Sequence, residues 1–251
     1  MRVLIEFITK DKVILNLPRE YIRNFIYSSI KQSKFSGMHN ARAYKDFCFS
    51  NFFPFEPSKK YLERNKIYKF IISSPFEEII NLISKKIIED NNIIKVGKYK
   101  LQVESLKFLK SLSKIEHVVT ATPTIIRIPK SLFKKYQINS KRIYEFWDKD
   151  KYLNVFIEAV IKNSVRRFNN FVEISGRKCK KLNEKNLPTD LFNKLKFKKV
   201  IYSWDKYFIG TLWEFWISYK WQKSPFIRYL YDSGLGERNA SSGSGFLNIL
   251  K

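Results

Sequence analysis

The chain has 251 residues, 44% of them hydrophobic, enough for one large domain or two of ordinary size. Its 48 Lys and Arg against 23 Asp and Glu give a net charge of +25, well beyond what solubility requires, so a polyanionic partner is expected, a nucleic acid before a membrane. No apolar run reaches the ~18 residues of a membrane span. The opening MRVLIEFITKDKV reads as a buried strand rather than a signal peptide, and two Cys with two His cannot build a zinc site of normal spacing. The expected compartment is the cytoplasm, with no metal and no cofactor.

In chain order, Arg2 to Ile8 is an apolar run of strand length. Pro18 then opens a helical pattern with Ile22, Phe25, Ile26, Ser29 and Ile30 on one face. Lys45 to Phe53 and Lys66 to Ser73, rich in aromatic and β-branched residues, read as strands on either side of the loop 54-PFEPSKKYLERN-65. A second helix is predicted from Phe76 to Glu89, with Ile79, Ile80, Ile83 and Ile87 inward. The stretch 98-KYKLQVE-104 alternates as a half-buried strand does. This β-α-β-β-α-β order is that of a ferredoxin-like domain, assigned to 1–114.

The second half begins with a strand at His117 to Thr122 or at Thr124 to Ile128. A long helix is predicted from Lys141 to Val165, with Phe146, Trp147, Phe156, Ile157 and Val160 as core candidates. The lysine-striped strand 194-KLKFKKVIY-202, the aromatic strand 207-YFIGTLWEFWI-217, a short helix at Pro225 to Tyr231 and a strand at Phe246 to Leu250 follow. The fold class is therefore α+β, two tandem ferredoxin-like domains, the second assigned to 115–251.

Four of the eight glycines fall in twelve residues: Gly234-Leu235-Gly236, then Glu237-Arg238-Asn239-Ala240-Ser241-Ser242, then Gly243-Ser244-Gly245. With this loop the chain resembles the CRISPR-associated endoribonucleases that cut precursor CRISPR RNA within its repeats, part of the repeat-associated RNA-binding superfamily. Their C-terminal loop has the form G-h-G-x5-G-h-G, h being apolar. Here the spacer is one residue longer and Ser244 replaces an apolar residue. The opening MRVLIEF, the helix ending FIYSSIK and the segment 38-MHNARAYKDFCFSNF-52 also look like that family's N-terminal domain. Many of its members use a Tyr/His/Lys set in this region, and Tyr27, His39 and Lys45 fall on those positions.

The chemistry that the resemblance implies is attack of a ribose 2′-hydroxyl on the adjacent phosphate, leaving 2′,3′-cyclic phosphate and 5′-hydroxyl ends without a metal. Such a step needs a proton acceptor, a donor for the 5′ oxygen and a cation for the phosphorane, roles that His, Tyr and Lys can fill. Which of Tyr27 and His39 is the base and which the acid stays open. On the helix, Tyr27 lies roughly 130° from the centre of the isoleucine stripe, off the core, beside Arg23, Lys31 and Lys34.

For binding RNA, Arg23, Lys31 and Arg42 would serve near that site. Lys194, Lys196 and Lys198 alternate with Leu195 and Phe197, a row of cations suited to a phosphate backbone. In the glycine-rich loop, Gly234, Gly236, Gly243 and Gly245 would let RNA approach the main chain, with Arg238 and Asn239 adding a cation and a two-way hydrogen bonder. A solvated charge run and an ordinary turn are the plainer alternatives. His117 is read as packing or capping, and Glu145, Asp148 and Asp150 as a solvated helix face rather than a metal site. The expected partner is the repeat of CRISPR precursor RNA, and the expected state is monomer or homodimer. The alternative is a non-catalytic relative that holds repeat RNA among the subunits of a CRISPR interference complex.

Overall fold

Strand β1 (Arg2–Thr9) follows from its own alternation: Val3, Ile5 and Phe7 are fully buried, while Leu4, Glu6 and Ile8 form the half-exposed face. Each of those three buried side chains contributes about 1.5–3 kcal/mol. The computed structural model describes residues 1–14, 18–38, 45–54, 61–203 and 208–250. The chain divides into two units, Met1–Ser111 with Ala240–Gly243, and Leu112–Asn239 with Ser244–Lys251. Among the described residues no helix is long and apolar enough to cross a membrane.

In the first unit, helix α1 (Pro18–Ile30) turns Ile22, Phe25, Ile26 and Ile30 into the core, and α2 (Glu77–Glu89) adds Ile79, Ile80, Ile83 and Ile87. These are the faces that the 3.6-residue period predicts. The sheet they cover is antiparallel, in the order β3 (Cys48–Phe49), β5 (Tyr68–Ser73), β1, β7 (Tyr99–Leu109), β6 (Ile93–Val96). A separate pair joins β2 (Val13–Ile14) to β4 (Tyr61–Leu62).

Two of the strands differ in length from expectation. β3 covers only two of the nine residues predicted at 45–53, because the Ser50 hydroxyl accepts the Ile71 amide at 2.9 Å and so replaces a ladder bond. Phe53 rejoins by a single bridge to Lys69. β7 instead runs on to Leu109, since β1 offers it partners as far as Arg2, with a register shift at Glu6/Phe7. β6 was not predicted; it folds back on β7 through Gly97, whose φ is +62°.

The second unit has the sheet order β12 (Phe192–Ser203), β13 (Phe208–Ile217), β8 (His117–Thr120), β14 (Leu247–Ile249), and β9 (Thr124–Ile125) also pairs with β13. Both alternative starts of this half are thus strands. Its core is aromatic: Trp213 stacks on Phe156 at 4.2 Å, with Trp147 and Phe197 at their edges.

The helix predicted over 141–165 requires correction. Tyr144–Phe146 is a strand, β11, paired antiparallel with β10 (Arg127–Pro129), and helix α3 occupies Leu153–Ser175. The Asp148 carboxylate accepts the Asp150 amide at 3.1 Å and pairs with Lys151 at 2.6 Å, a side-chain turn that separates strand from helix. Gly176, at φ +63°, ends the helix ten residues later than predicted. Glu145, Asp148 and Asp150 are accordingly not on a helix; Phe146 lies half-buried on the hairpin and Ile157 half-buried on α3 rather than in the core. Helix α4 (Pro225–Ser233) is capped by Ser224, whose hydroxyl accepts the Ile227 amide at 3.2 Å. Within the glycine-rich segment an unpredicted helical turn, α5 (Asn239–Ser242), interrupts the loop.

Candidate functional site

Helix α1 presents Tyr27 at the edge of the first unit's core, where its half-buried ring meets Phe47 edge-to-face at 5.6 Å. The angular offset from the isoleucine stripe is outweighed by the reach of the tyrosine ring. Lys45, at the start of the segment leading to β3, places its Nζ 5.3 Å from the centre of the same ring. Two of the predicted catalytic residues therefore stand together; His39 and Arg42 lie outside the described residues.

Burial pushes the Tyr27 phenol up to about 12, with the nearby Arg23 charge opposing the shift. Burial also lowers the Lys45 ammonium, and repulsion from Arg23 adds to it. The phenol therefore keeps its proton through neutral pH and can donate a hydrogen bond. Arg23 donates to Asn24 at 3.2 and 3.3 Å, and Lys31 is exposed beyond the end of α1. Lys34, from the same stripe, is engaged by Glu78 of α2 at 2.7 Å.

On the second unit's sheet, Lys194, Lys196 and Lys198 are exposed and Leu195 and Phe197 half-buried. Their surroundings are unequal. The Lys194 Nζ lies 4.9 Å from the Trp216 ring centre, whereas Lys198 is paired with Glu214. Glu214 also bonds His117 at 2.8 Å, and the His117 ring stacks on Trp216 at 4.3 Å. The Glu214 carboxyl is held below its ordinary range, first by Lys198 and then by His117, against the cost of burial.

The glycine-rich loop owes its shape to close packing. A Cβ on Gly245 would stand 1.8 Å from the Leu235 carbonyl oxygen, and one on Gly236 2.7 Å from that of Ile125. Only glycine fits there. The Asn239 amide is turned inward and donates to the carbonyls of Leu235 at 3.2 Å and Ser244 at 2.8 Å, tying the loop's two arms together. Arg238 adopts φ +61° and lays its guanidinium over the Phe208 ring, 3.8 Å from its centre.

Sequence reasoning missed Arg167. This α3 residue is 3% exposed, and its guanidinium donates to the carbonyls of Ser233 at 3.0 Å, Gly234 at 2.9 Å and Gly236 at 3.0 Å. One fork of donors thereby replaces the water that three orphan carbonyls at the end of α4 would otherwise need. The available signal was an arginine within a buried stripe, with Ser164 one turn before it and Phe168 and Phe171 after it.

Among the described residues no group of three His, Cys, Asp or Glu could hold a metal ion. Glu145 accepts from Ser140 at 2.5 Å, and Asp148 is taken by Lys151.

Residues 104–249, more than half the chain and the whole of β8 to β14, match the family described as CRISPR associated protein Cas6, C-terminal. A protein of Methanocaldococcus jannaschii, named CRISPR-associated endoribonuclease Cas6 2, is 27% identical over 243 residues, 92% of this chain and 91% of that protein. Among solved structures, that of a Cas6-related gene product from Pyrococcus furiosus superposes with TM-score 0.69 at 20% identity, covering all of this chain and 98% of the other. A RAMP protein described as binding different RNA substrates gives 0.66 at 19%, with full coverage of both. The likeness to these structures bears on the fold, and the family match takes in the glycine-rich loop, the arginine that grips it and the lysine-bearing strand. The chain belongs to the Cas6 family of CRISPR-associated proteins.

Proposed function

We propose that this protein is an endoribonuclease that cuts CRISPR precursor RNA within its repeats, by attack of a 2′-hydroxyl and without a metal ion. Family membership and the endoribonuclease named among its relatives support the reaction class. The observation that carries the chemistry is the seat of Tyr27 beside Lys45. A phenol that keeps its proton suits donation toward the 5′ leaving oxygen, and Lys45 with Arg23 supplies positive charge where the phosphorane gains negative charge. His39 then takes the proton of the attacking hydroxyl, as an imidazole can near neutral pH. The products carry 2′,3′-cyclic phosphate and 5′-hydroxyl ends.

Binding falls to the second unit and to the cations near Tyr27. Lys194 and Lys196 follow the RNA backbone, with Lys198 shared between it and Glu214, while Arg23, Lys31 and Arg42 flank the scissile phosphate. Gly234, Gly236, Gly243 and Gly245 shape the RNA-facing loop, Asn239 braces it and Arg238 supplies its cation. We read each unit as a ferredoxin-like domain, with the boundary near residue 114. The orders β3-β5-β1-β7 and β12-β13-β8-β14 support this, since each sets the first and third strands of a β-α-β-β-α-β unit side by side at its centre.

The test is incubation of the protein with labelled repeat RNA in EDTA, beside RNA with a single 2′-deoxy nucleotide upstream of the cut. Cleavage in EDTA of the first RNA only is expected. An absolute need for Mg²⁺, or cutting of the deoxy substrate at the same bond, would overturn the mechanism.

A further inference from the structure

The β10–β11 hairpin bears on neither the Tyr27 site nor the lysine strand, yet its outward face is made of groups that bind nucleotides. Its register pairs Arg127 with Phe146 and Pro129 with Tyr144, so these four side chains share one face and fully buried Ile128 lies on the other. The Arg127 guanidinium carbon is 5.2 Å from the Tyr144 ring centre, Tyr144 meets Phe146 at 5.5 Å, and Phe146 meets Phe208 at 6.0 Å. Arg238, over Phe208, turns the row back toward Arg127, since Glu237 beside it in the chain is paired with Arg127.

The row is fastened to the glycine-rich loop. Glu237 donates its amide to the Ile125 carbonyl at 2.8 Å and accepts the Arg127 amide at 3.2 Å, and its carboxylate is paired with the Arg127 Nε. One carboxylate, paired with Arg127 and acting on Arg238 through its charge alone, stands against two arginines, leaving a net positive charge. Burial first, and repulsion from Arg127 second, lower the Arg238 guanidinium from its usual value, which marks the two cations as close neighbours. The Arg127 side chain is 46% exposed and Tyr144 37%.

We infer that this face is a subsite for one unpaired RNA nucleotide, its base stacked on Tyr144 and its phosphate held by Arg127 and Arg238. An aromatic ring beside a guanidinium pair is the arrangement that takes single-stranded RNA, because every base offers a π face and every nucleotide a phosphate. The inference rests on the repeat-RNA reading and adds to it a contact outside the scissile site.

The experiment is a repeat-RNA binding titration at fixed salt with the full chain. Tyr144→Leu weakens binding roughly 5- to 150-fold, the range for one base on an aromatic platform. Tyr144→Phe, which keeps the ring, recovers most of that loss. Ile143→Ala, at a neighbour 81% exposed, is the control that leaves affinity unchanged. Arg127→Gln weakens binding and makes its salt dependence shallower, by less than the roughly 0.7 to 0.9 in log–log slope of an unpaired cation, because Glu237 already pairs with Arg127. An abasic nucleotide moved along the repeat finds one position where Tyr144→Leu costs nothing further. Wild-type affinity in Tyr144→Leu, or an equal loss at every abasic position, overturns the subsite while the nuclease reading stands. Failure of the wild-type protein to bind repeat RNA overturns both.

Discussion

Tyr27 and Lys45 stand half-buried beside a phenylalanine, and burial moves the protonation of both; Lys194 and Lys196 stand exposed on a strand. The two units thus hold these polar groups in unlike surroundings, a helix face and the segment before β3 in the first, a strand face in the second. A group that must hold or move a proton needs surroundings that shift it, and such surroundings cost solvation. A cation that tracks a phosphate backbone needs only to be reachable, and its contribution is many small, salt-sensitive terms. The difference teaches where to look for chemistry and where for affinity in the same polypeptide.

The largest effect expected from breaking this contrast is on rate. Tyr27→Phe removes one oxygen and keeps the contact with Phe47, so the fold should hold. Cleavage by enzyme saturated with RNA should fall by ~10² or more, as for loss of an acid–base group, with affinity nearly intact. His39→Ala should do the same. Single-turnover cleavage measures this, and a wild-type rate in Tyr27→Phe would reduce the Tyr27–Lys45 pair to packing.

Next in size is a loss of stability on the binding side. Arg167→Met keeps the buried stem but takes the guanidinium from three carbonyls, of which Gly234 keeps only the Ser233 hydroxyl at 3.5 Å, at about 1–3 kcal/mol for each group left unsatisfied. With relaxation, about 3 kcal/mol in all is expected, or ~6–12 °C in Tm for a chain of this size. Well below that Tm, RNA affinity should fall while saturated cleavage persists. Equal loss of both would show that Arg167 supports the whole chain rather than the loop.

Much of this architecture could be read from residues with strong periodic neighbours. The isoleucines of α1 and α2 and the alternation of β1 fix their own elements, because a single face must be buried. β10 was legible only where the strand expected at Thr124 to Ile128 reaches into it, and β11 not at all: each is three residues long, and the run IYEFW reads as readily as a helix leading into α3. The role of Arg167 depends on carbonyls 66 to 69 residues away, which no local pattern encodes. Tyr27 and Lys45 were found through family likeness, and the helical wheel alone set Tyr27 too far outside, since it counts directions and not side-chain length.

The lysine row yields a smaller effect, and an uneven one. Lys194→Ala and Lys196→Ala should each flatten the salt dependence of RNA binding by roughly 0.7 to 0.9 in log–log slope. Lys198→Ala should flatten it less, because Glu214 already neutralises that lysine. Equal slopes for all three would mean that RNA displaces Glu214 from Lys198.

The smallest effect separates the units by acid. Glu6, on β1, accepts from Lys69 at 2.7 Å, Ser105 at 2.8 Å and Lys107 at 3.3 Å, and these partners, Lys69 foremost, lower its carboxyl from 4.5 to about 2. A carboxyl depressed in the folded state stabilises the fold above its unfolded value, and that contribution fades as pH falls from about 4.5 toward 2. Glu214, with Lys198 and His117, shifts in the same direction in the second unit. Urea unfolding between pH 6 and 2 should therefore lose part of its acid slope in Glu6→Gln and a separate part in Glu214→Gln. Because the two carboxylates share no partner, the losses should add in the double variant. An acid slope untouched by Glu6→Gln would show that its lysine and serine partners leave it no more ionised in the fold than in the open chain.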